Sequence, residues 1–408
     1  MTITKRLKKH FNEMADFFDS SFYFYDLDEL DRRLKEIQSH RYPGLKLWYA
    51  TKANPLSSII KIIKANNFGI DVASQGELEQ ALLQGYEGKN ILSTGPSKSR
   101  KYLKSLLKHN IQTVVCESLN QVRWLNQAAQ ELNKTPDVLL RVQLDWDEGS
   151  SVLGGNEITP FGIDPQEWFS LTKEDYSHLN ICGFHVFQWG NILEVERLDQ
   201  IWQKIAAEMQ ELANKLNVPC DILDLGGGLG IPYTKEEKAI QFKDVAKVLK
   251  SVQDKFQIKE IWMELGRYLV GECGYYLTQI IDSKDVRGKR VLVTDGGINH
   301  IARPALTNQP FPVHSLKFHN DYEDAKEVSI SEFTVHGPLC TALDKLGSFQ
   351  LPSDIEAGDW LVFYQAGAYG MTEAMPYFLC HNLPAEVILK NERTQIIRPI
   401  ETSAKWLL

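Results

Sequence analysis

The sequence predicts an α/β protein, a (β/α)8 TIM barrel joined to a second, all-β domain. Eight short apolar runs, each ending in a polar or glycine-containing cluster, recur between Leu45 and Gly266. Segments with helical periodicity separate most of them. After Ile281 the rhythm changes, and strand-like runs follow one another with little helix between.

The eight runs are Leu45–Lys52, Gly69–Ser74, Asn90–Gly95, Thr113–Glu117, Val138–Gln143, Ile181–Phe187, Asp221–Gly228 and Ile261–Gly266. Between them, Leu56, Ile59, Ile60 and Ile63 share one helical face. So do Leu78, Ala81 and Leu82, and later Ile201, Ile205 and Met209. A doubly wound open sheet alternates in the same way, so the eightfold count and the length decide for the barrel. The later runs are Arg290–Thr294, Val313–Phe318, Val328–Val335, Trp360–Tyr364, Glu386–Leu389 and Gln395–Arg398, a β-barrel or sandwich pattern. Ser21–Tyr25, reading SFYFY, is a β-rich run ahead of the barrel and is assigned to the same domain. The expected division is therefore a barrel at residues 26–282 and a β domain built from 1–25 and 283–408.

With 408 residues, 43% of them hydrophobic, the chain can bury a large core and form two domains. The formal charge is −8, and Lys and Arg are interspersed with Asp and Glu. That distribution argues against a nucleic-acid partner and against a polybasic membrane patch. The first eleven residues mix Lys5, Arg6, Lys8 and Lys9 with single apolar residues, unlike a signal peptide. No apolar run is long enough to span a bilayer, so a soluble, cytoplasmic protein is expected. The six cysteines form no CxxC pair and fit neither a zinc site nor a disulfide framework, so no metal is expected.

In a (β/α)8 barrel the catalytic groups sit at the C-terminal strand ends, where the loops surround the open mouth. Those positions hold Lys52, Ser74, Glu117, Arg141, His185, Gly226–Gly228, Glu264 and Arg267. Lys52 is expected among apolar neighbours, where burial lowers its pKa and favours the nucleophilic amine; a surface lysine is the plain alternative. GGGLG, Gly226 to Gly230, could bring backbone N–H groups to a phosphate or form an ordinary turn. Glu264 in MELGR would need a cationic partner, either a protonated ring nitrogen or simply Arg267. His185 in GFHVF is either a core residue or an imidazole stacked on a planar cofactor.

The order of the motifs adds what no single one supplies. FYFYD, YATKAN, DVASQGEL, GFHV, LDLGGGLG, ELGRYLV, INHIARPAL, HGPLCT and AGAYG run from about Phe22 to Leu389. In this order they resemble the fold-type III pyridoxal-phosphate decarboxylases, which include the diaminopimelate, ornithine and arginine decarboxylases and share the alanine-racemase plan. The resemblance implies pyridoxal 5'-phosphate bound covalently by Lys52. It implies a phosphate site at Gly226, Gly227, Gly228, Gly266, Arg267 and Tyr369. Glu264 would pair with the ring nitrogen and His185 would stack on the ring, with Asp71, Glu77 and Arg141 in support. Cys340 would be the proton donor, reaching the site from a second subunit, so a homodimer with shared active sites is expected.

Departures from the family pattern bear on the substrate. Thr341 follows Cys340 where members acting on free diamino acids carry an acidic residue. Arg303 of INHIARPAL is kept, and in diaminopimelate decarboxylases it binds the distal carboxylate, but Thr307 replaces the tyrosine usual after RPAL. LCT with Asp344 shortly after resembles members acting on modified amino acids. The expected substrate is thus a citryl-diamino acid of carboxylate siderophore assembly. The alternatives are meso-diaminopimelate, an amino acid tethered to a carrier protein and, outside decarboxylation, racemisation. Gln188 stands where a phosphate-binding serine is common.

Overall fold

The computed structural model describes residues 3–146, 158–187, 189–317 and 329–407. It divides into two compact units. One comprises Asp31–Ile231 and Lys238–Leu269, the other Met1–Leu30, Pro232–Glu237 and Val270–Leu408.

The first unit is a closed barrel of eight strands. They are Leu45–Ala50, Gly69–Val72, Ile91–Ser93, Thr113–Cys116, Asp137–Arg141, Asn180–His185, Ile222–Asp224 and Glu260–Leu265. Every neighbouring pair is parallel, and the eighth strand closes on the first through Leu45↔Ile261 and Trp48↔Glu264. Each expected run contains or overlaps one of these strands; the polar ends of the runs belong to the loops instead. Serines define three helix starts. Ser74, Ser99 and Ser118 accept the N–H of Glu77, Tyr102 and Gln121, opening helices Gln75–Leu83, Arg100–Lys108 and Leu119–Leu132. Ser74, a candidate site residue by position, is thus the cap of its helix.

The second unit is built on a nine-stranded sheet. Phe22–Asp26 is fully buried within it, antiparallel to Gly274–Val286 and parallel to Ala385–Lys390. Gly274–Val286 runs across residue 282, where the sequence placed the domain boundary. Glycine permits its crossing with the AGAYG segment, since a Cβ on Gly274 would lie 2.2 Å from the Cα of Gly367. The helix Lys5–Phe18 lays Leu7, Phe11 and Ala15 on Phe22, Phe24, Val387 and Leu389. No described helix is long and apolar enough to cross a membrane.

Candidate active site

Strand side chains alternate, so a residue two places beyond an interior one also faces the interior. Trp48, Leu92, Val115, Leu139, Cys182 and Trp262 form one cluster with Ile222 against it, and they come from seven different strands. Only the inside of a closed barrel brings seven strands to one point. The two indoles lie 5.0 Å apart. Gly69 on the second strand makes room for Trp48, whose ring a Cβ there would meet at 2.3 Å.

Two residues further along stand Asp71, Thr94, Glu117, Arg141, Asp224 and Glu264, all buried. The sixth strand reaches this level with His185, three residues after Cys182. A register shift between Val138 and Leu139, opposite Ile181 and Gly183, absorbs the extra residue. An apolar layer is therefore capped by a polar one facing the C-terminal mouth.

Each polar group has a defined partner. Thr94 Oγ1 donates to Asp71 Oδ1 at 2.7 Å. Arg141 Nη1 donates to Glu117 Oε1 at 2.9 Å, and the buried Lys98 ammonium lies 3.8 Å from the same oxygen. Glu117 Oε2 accepts the Gly162 N–H at 3.2 Å. His185 Nε2 lies 3.0 Å from Glu264 Oε1, and Asp224 Oδ1 accepts the Gly226 N–H at 2.9 Å. Two fully buried atoms, His185 Nδ1 and Asp224 Oδ2, have no protein hydrogen-bond partner.

Burial, reinforced by the Glu264 charge, pushes Asp71 and Asp224 well above the carboxylate range. Burial opposes ionisation of Glu264 too, but His185, Lys52 and Arg141 outweigh it and hold that carboxyl below its ordinary value. Burial lowers His185 against the opposing pull of Glu264, and beside an ionised carboxylate that can only accept, its Nε2 is the donor of the pair. Among Asp71, Asp224 and Glu264, the negative charge thus resides on Glu264. One ligand-type atom each of His185, Asp224 and Glu264 lies within 4.8 Å of the others, close enough for a cation or a protonated ring nitrogen.

Lys52 lies in the helical turn Thr51–Ala53 at the end of the first strand. Its side chain is exposed rather than buried, because it leaves the strand end into the open mouth. Its ammonium stands 5.8 Å from the centre of the Phe187 ring; burial raises Asp71 and Glu77, the Lys52 charge offsets part of that rise, and the same charge helps hold Glu264 down. Glu77 accepts the Ala73 N–H at 2.6 Å. Across the mouth, Gly226 and Gly228 adopt φ of 62° and 93°. A Cβ on Gly227 would sit 2.3 Å from the Glu264 carbonyl oxygen, so this turn accepts only glycine. Hydrogen bonds of 2.8 Å from Ile192 N to Gly228 O and from Gly230 N to Ile192 O pin it. Buried Gly266 and half-buried Arg267 follow the eighth strand.

In the β unit, three segments far apart in sequence converge on Ile298–His300. Asp344 accepts the N–H of Ile298 at 2.7 Å and of Leu339 at 2.8 Å. Met375 N donates to Ile298 O at 2.9 Å, and Tyr23 Oη donates to His300 O at 2.7 Å. Asp344, a candidate substrate-binding residue by its place shortly after LCT, instead has its buried carboxylate taken up by two main-chain N–H groups and ties HGPLCT to INHIARPAL. Cys340 is exposed and Thr341 half-buried. Arg303 Nη1 meets both oxygens of Glu373, at 3.0 and 2.8 Å, and its guanidinium lies 4.9 Å from the Tyr369 ring centre. Gln188 lies outside the described residues.

Residues 27–271 match the family model of the pyridoxal-dependent decarboxylase pyridoxal-binding domain. The chain belongs to the pyridoxal-dependent decarboxylases. It is 27% identical over 398 residues to the L-glutamyl-[BtrI acyl-carrier protein] decarboxylase of Niallia circulans, covering 93% of this chain and 91% of that one. It is 28% identical over 376 residues to the 2-[(L-alanin-3-ylcarbamoyl)methyl]-2-hydroxybutanedioate decarboxylase of Staphylococcus aureus, covering 90% and 93%. Among solved structures, diaminopimelate decarboxylase of Helicobacter pylori in complex with L-lysine matches with a TM-score of 0.85 at 25% identity, covering 97% and 98%.

The barrel residues of this decarboxylase fit its cofactor. An ionised, buried Glu264 suits a protonated pyridine nitrogen, the orphaned His185 Nδ1 and Asp224 Oδ2 face the same cluster, and the glycine turn allows close main-chain approach to a phosphate. Sequence reasoning missed Lys98, Thr94, Asp224 and Glu373. Asp224 was readable, two residues beyond Ile222 on an alternating strand. Lys98 and Glu373 sit in segments without periodicity and carried no such signal.

Proposed function

We propose that this decarboxylase removes the α-carboxylate of an amino acid whose distal end carries a carboxylate-bearing acyl group, of the citryl-diamino-acid type used in carboxylate siderophores. The observation that carries the reading is the engagement of Asp344 by Ile298 and Leu339. With Thr341 neutral, the HGPLCT loop then offers no carboxylate to a distal ammonium. Arg303 supplies the cation for a distal carboxylate. Two relatives with names denoting modified amino-acid substrates support this.

In this reading Lys52 would hold pyridoxal phosphate through its side-chain amine. Gly226, Gly227, Gly228, Gly266, Arg267 and Tyr369 hold the phosphate, His185 covers the ring face, and Asp71 and Arg141 brace the site. The cofactor supplies a sink for the electron pair left when the bond to the carboxylate breaks and carbon dioxide departs. Glu264 keeps the ring nitrogen protonated. Cys340, from the partner in a homodimer, delivers its thiol proton to the α-carbon.

A mass-spectrometric decarboxylation screen tests the substrate. A distal ammonium without its carboxylate loses a charge-assisted hydrogen bond worth about 1.5–3 kcal/mol, roughly ten- to a hundredfold in kcat/KM. Citryl-diamino acids should therefore exceed ornithine, lysine, arginine and meso-diaminopimelate by that margin. Comparable turnover of meso-diaminopimelate overturns the reading.

A further inference from the structure

We infer that Glu373 is a specificity-determining residue that competes with the substrate's distal carboxylate for Arg303. The inference rests on the proposed role of Arg303. The arginine is not an open anion receptor: Glu373 places both carboxylate oxygens on Nη1, at 3.0 and 2.8 Å. An incoming anion meets a neutral pair, with a negative charge already at the guanidinium edge.

The surroundings permit exchange without rearranging the backbone. The segment before Arg303 is fixed at His300, whose Nε2 donates to Asn382 O at 2.7 Å and whose Nδ1 lies 3.0 Å from Tyr276 Oη. Thr307 Oγ1 donates to Arg303 O at 2.9 Å, closing the turn that follows. The Met375–Ile298 hydrogen bond fixes the segment bearing Glu373. The Glu373 side chain keeps 32% of its surface exposed against 15% for Arg303, so it is the partner free to swing away. The Tyr369 ring still supports the guanidinium when it does.

Exchange of one carboxylate for another conserves charge and gains little. A distal group with two or more carboxylates gains more, because it can reach the guanidinium edges that Glu373 leaves unused. Glu373 therefore filters against monocarboxylate ends and favours polycarboxylate ones.

The test uses holoenzyme, Glu373→Gln, Arg303→Met and the double variant, with citrate and propionate as inhibitors. Glu373→Gln should tighten citrate and propionate inhibition about three- to tenfold and lower KM for a citryl-diamino acid by a similar factor. The gain should be larger for propionate, and in the Arg303→Met background it should vanish. Unchanged or weakened inhibition by both anions in Glu373→Gln, with cofactor absorbance intact, overturns the inference. So does a selective rise in KM for lysine or diaminopimelate, which would make Glu373 an ammonium receptor. If wild-type enzyme turns over no citryl compound the proposed substrate fails, whereas the inhibitor comparison still decides the role of Glu373.

Discussion

Lowering the pH from 7 to 5 should destabilise the β unit through His300. Its imidazole is fully buried, donates to the Asn382 carbonyl and accepts from the Tyr276 hydroxyl, an arrangement only the neutral ring can make. Burial holds its pKa down to about 4, from 6.5. The stabilisation is therefore complete above about pH 6.5 and is lost as the pH falls toward 4, because the unfolded chain takes up a proton that the folded one refuses. A gap of about 2.5 pH units at about 1.4 kcal/mol each amounts to roughly 3 kcal/mol below pH 4, of which about 2 is lost by pH 5. Urea unfolding at pH 7, 6 and 5, compared between wild type and His300→Gln, isolates this contribution because the other titrations cancel in the difference. The variant should start less stable and lose less on acidification. Parallel stability curves for the two proteins would refute the assignment of a neutral, proton-refusing His300.

Other perturbations address the barrel. Glu117→Gln leaves the buried Lys98 and Arg141 without the carboxylate they share and should cost about 3–5 kcal/mol in urea unfolding; a loss under about 1 would show that the cluster is not a unit. Gly227→Ala places a methyl group against the rigid Glu264 carbonyl, so it should weaken retention of pyridoxal phosphate at least about tenfold; full cofactor absorbance at equal concentration contradicts this. Mixing inactive Lys52→Ala with inactive Cys340→Ala should restore activity in the heterodimers that form, and no recovery despite proven subunit exchange would refute the shared site.

The barrel was legible because each of its strands is a short apolar run closed by polar residues, and the same two-residue alternation places Asp71, Glu117, Arg141 and Glu264 above the indole layer. Other elements were hidden for physical reasons. Gly274–Val286 is apolar only in its first half, and Asp282 to Asp285 near its outer end are exposed and polar, so it does not read as one strand. In the helix Lys5–Phe18, the buried Leu7, Phe11 and Ala15 are spaced four apart among basic residues that mask the pattern. In Lys345–Pro352 the apolar Leu346, Phe349 and Leu351 are irregularly spaced around Gly347, so the segment does not read as a strand. At the candidate site the residue types were readable, but their partners were not. Arg303 was visible as a cation and Asp344 as an acid. That Glu373 takes the first and two main-chain N–H groups the second depends on contacts between segments far apart in sequence.

The most direct test of the central claim is to reduce the holoenzyme with borohydride and map the labelled peptide by mass spectrometry. Lys52 should carry the pyridoxyl group in stoichiometric yield, and Lys52→Ala should carry none and release no carbon dioxide from any substrate. Label on Lys98, the buried lysine of the same barrel, or turnover by the Lys52 variant, would contradict the account.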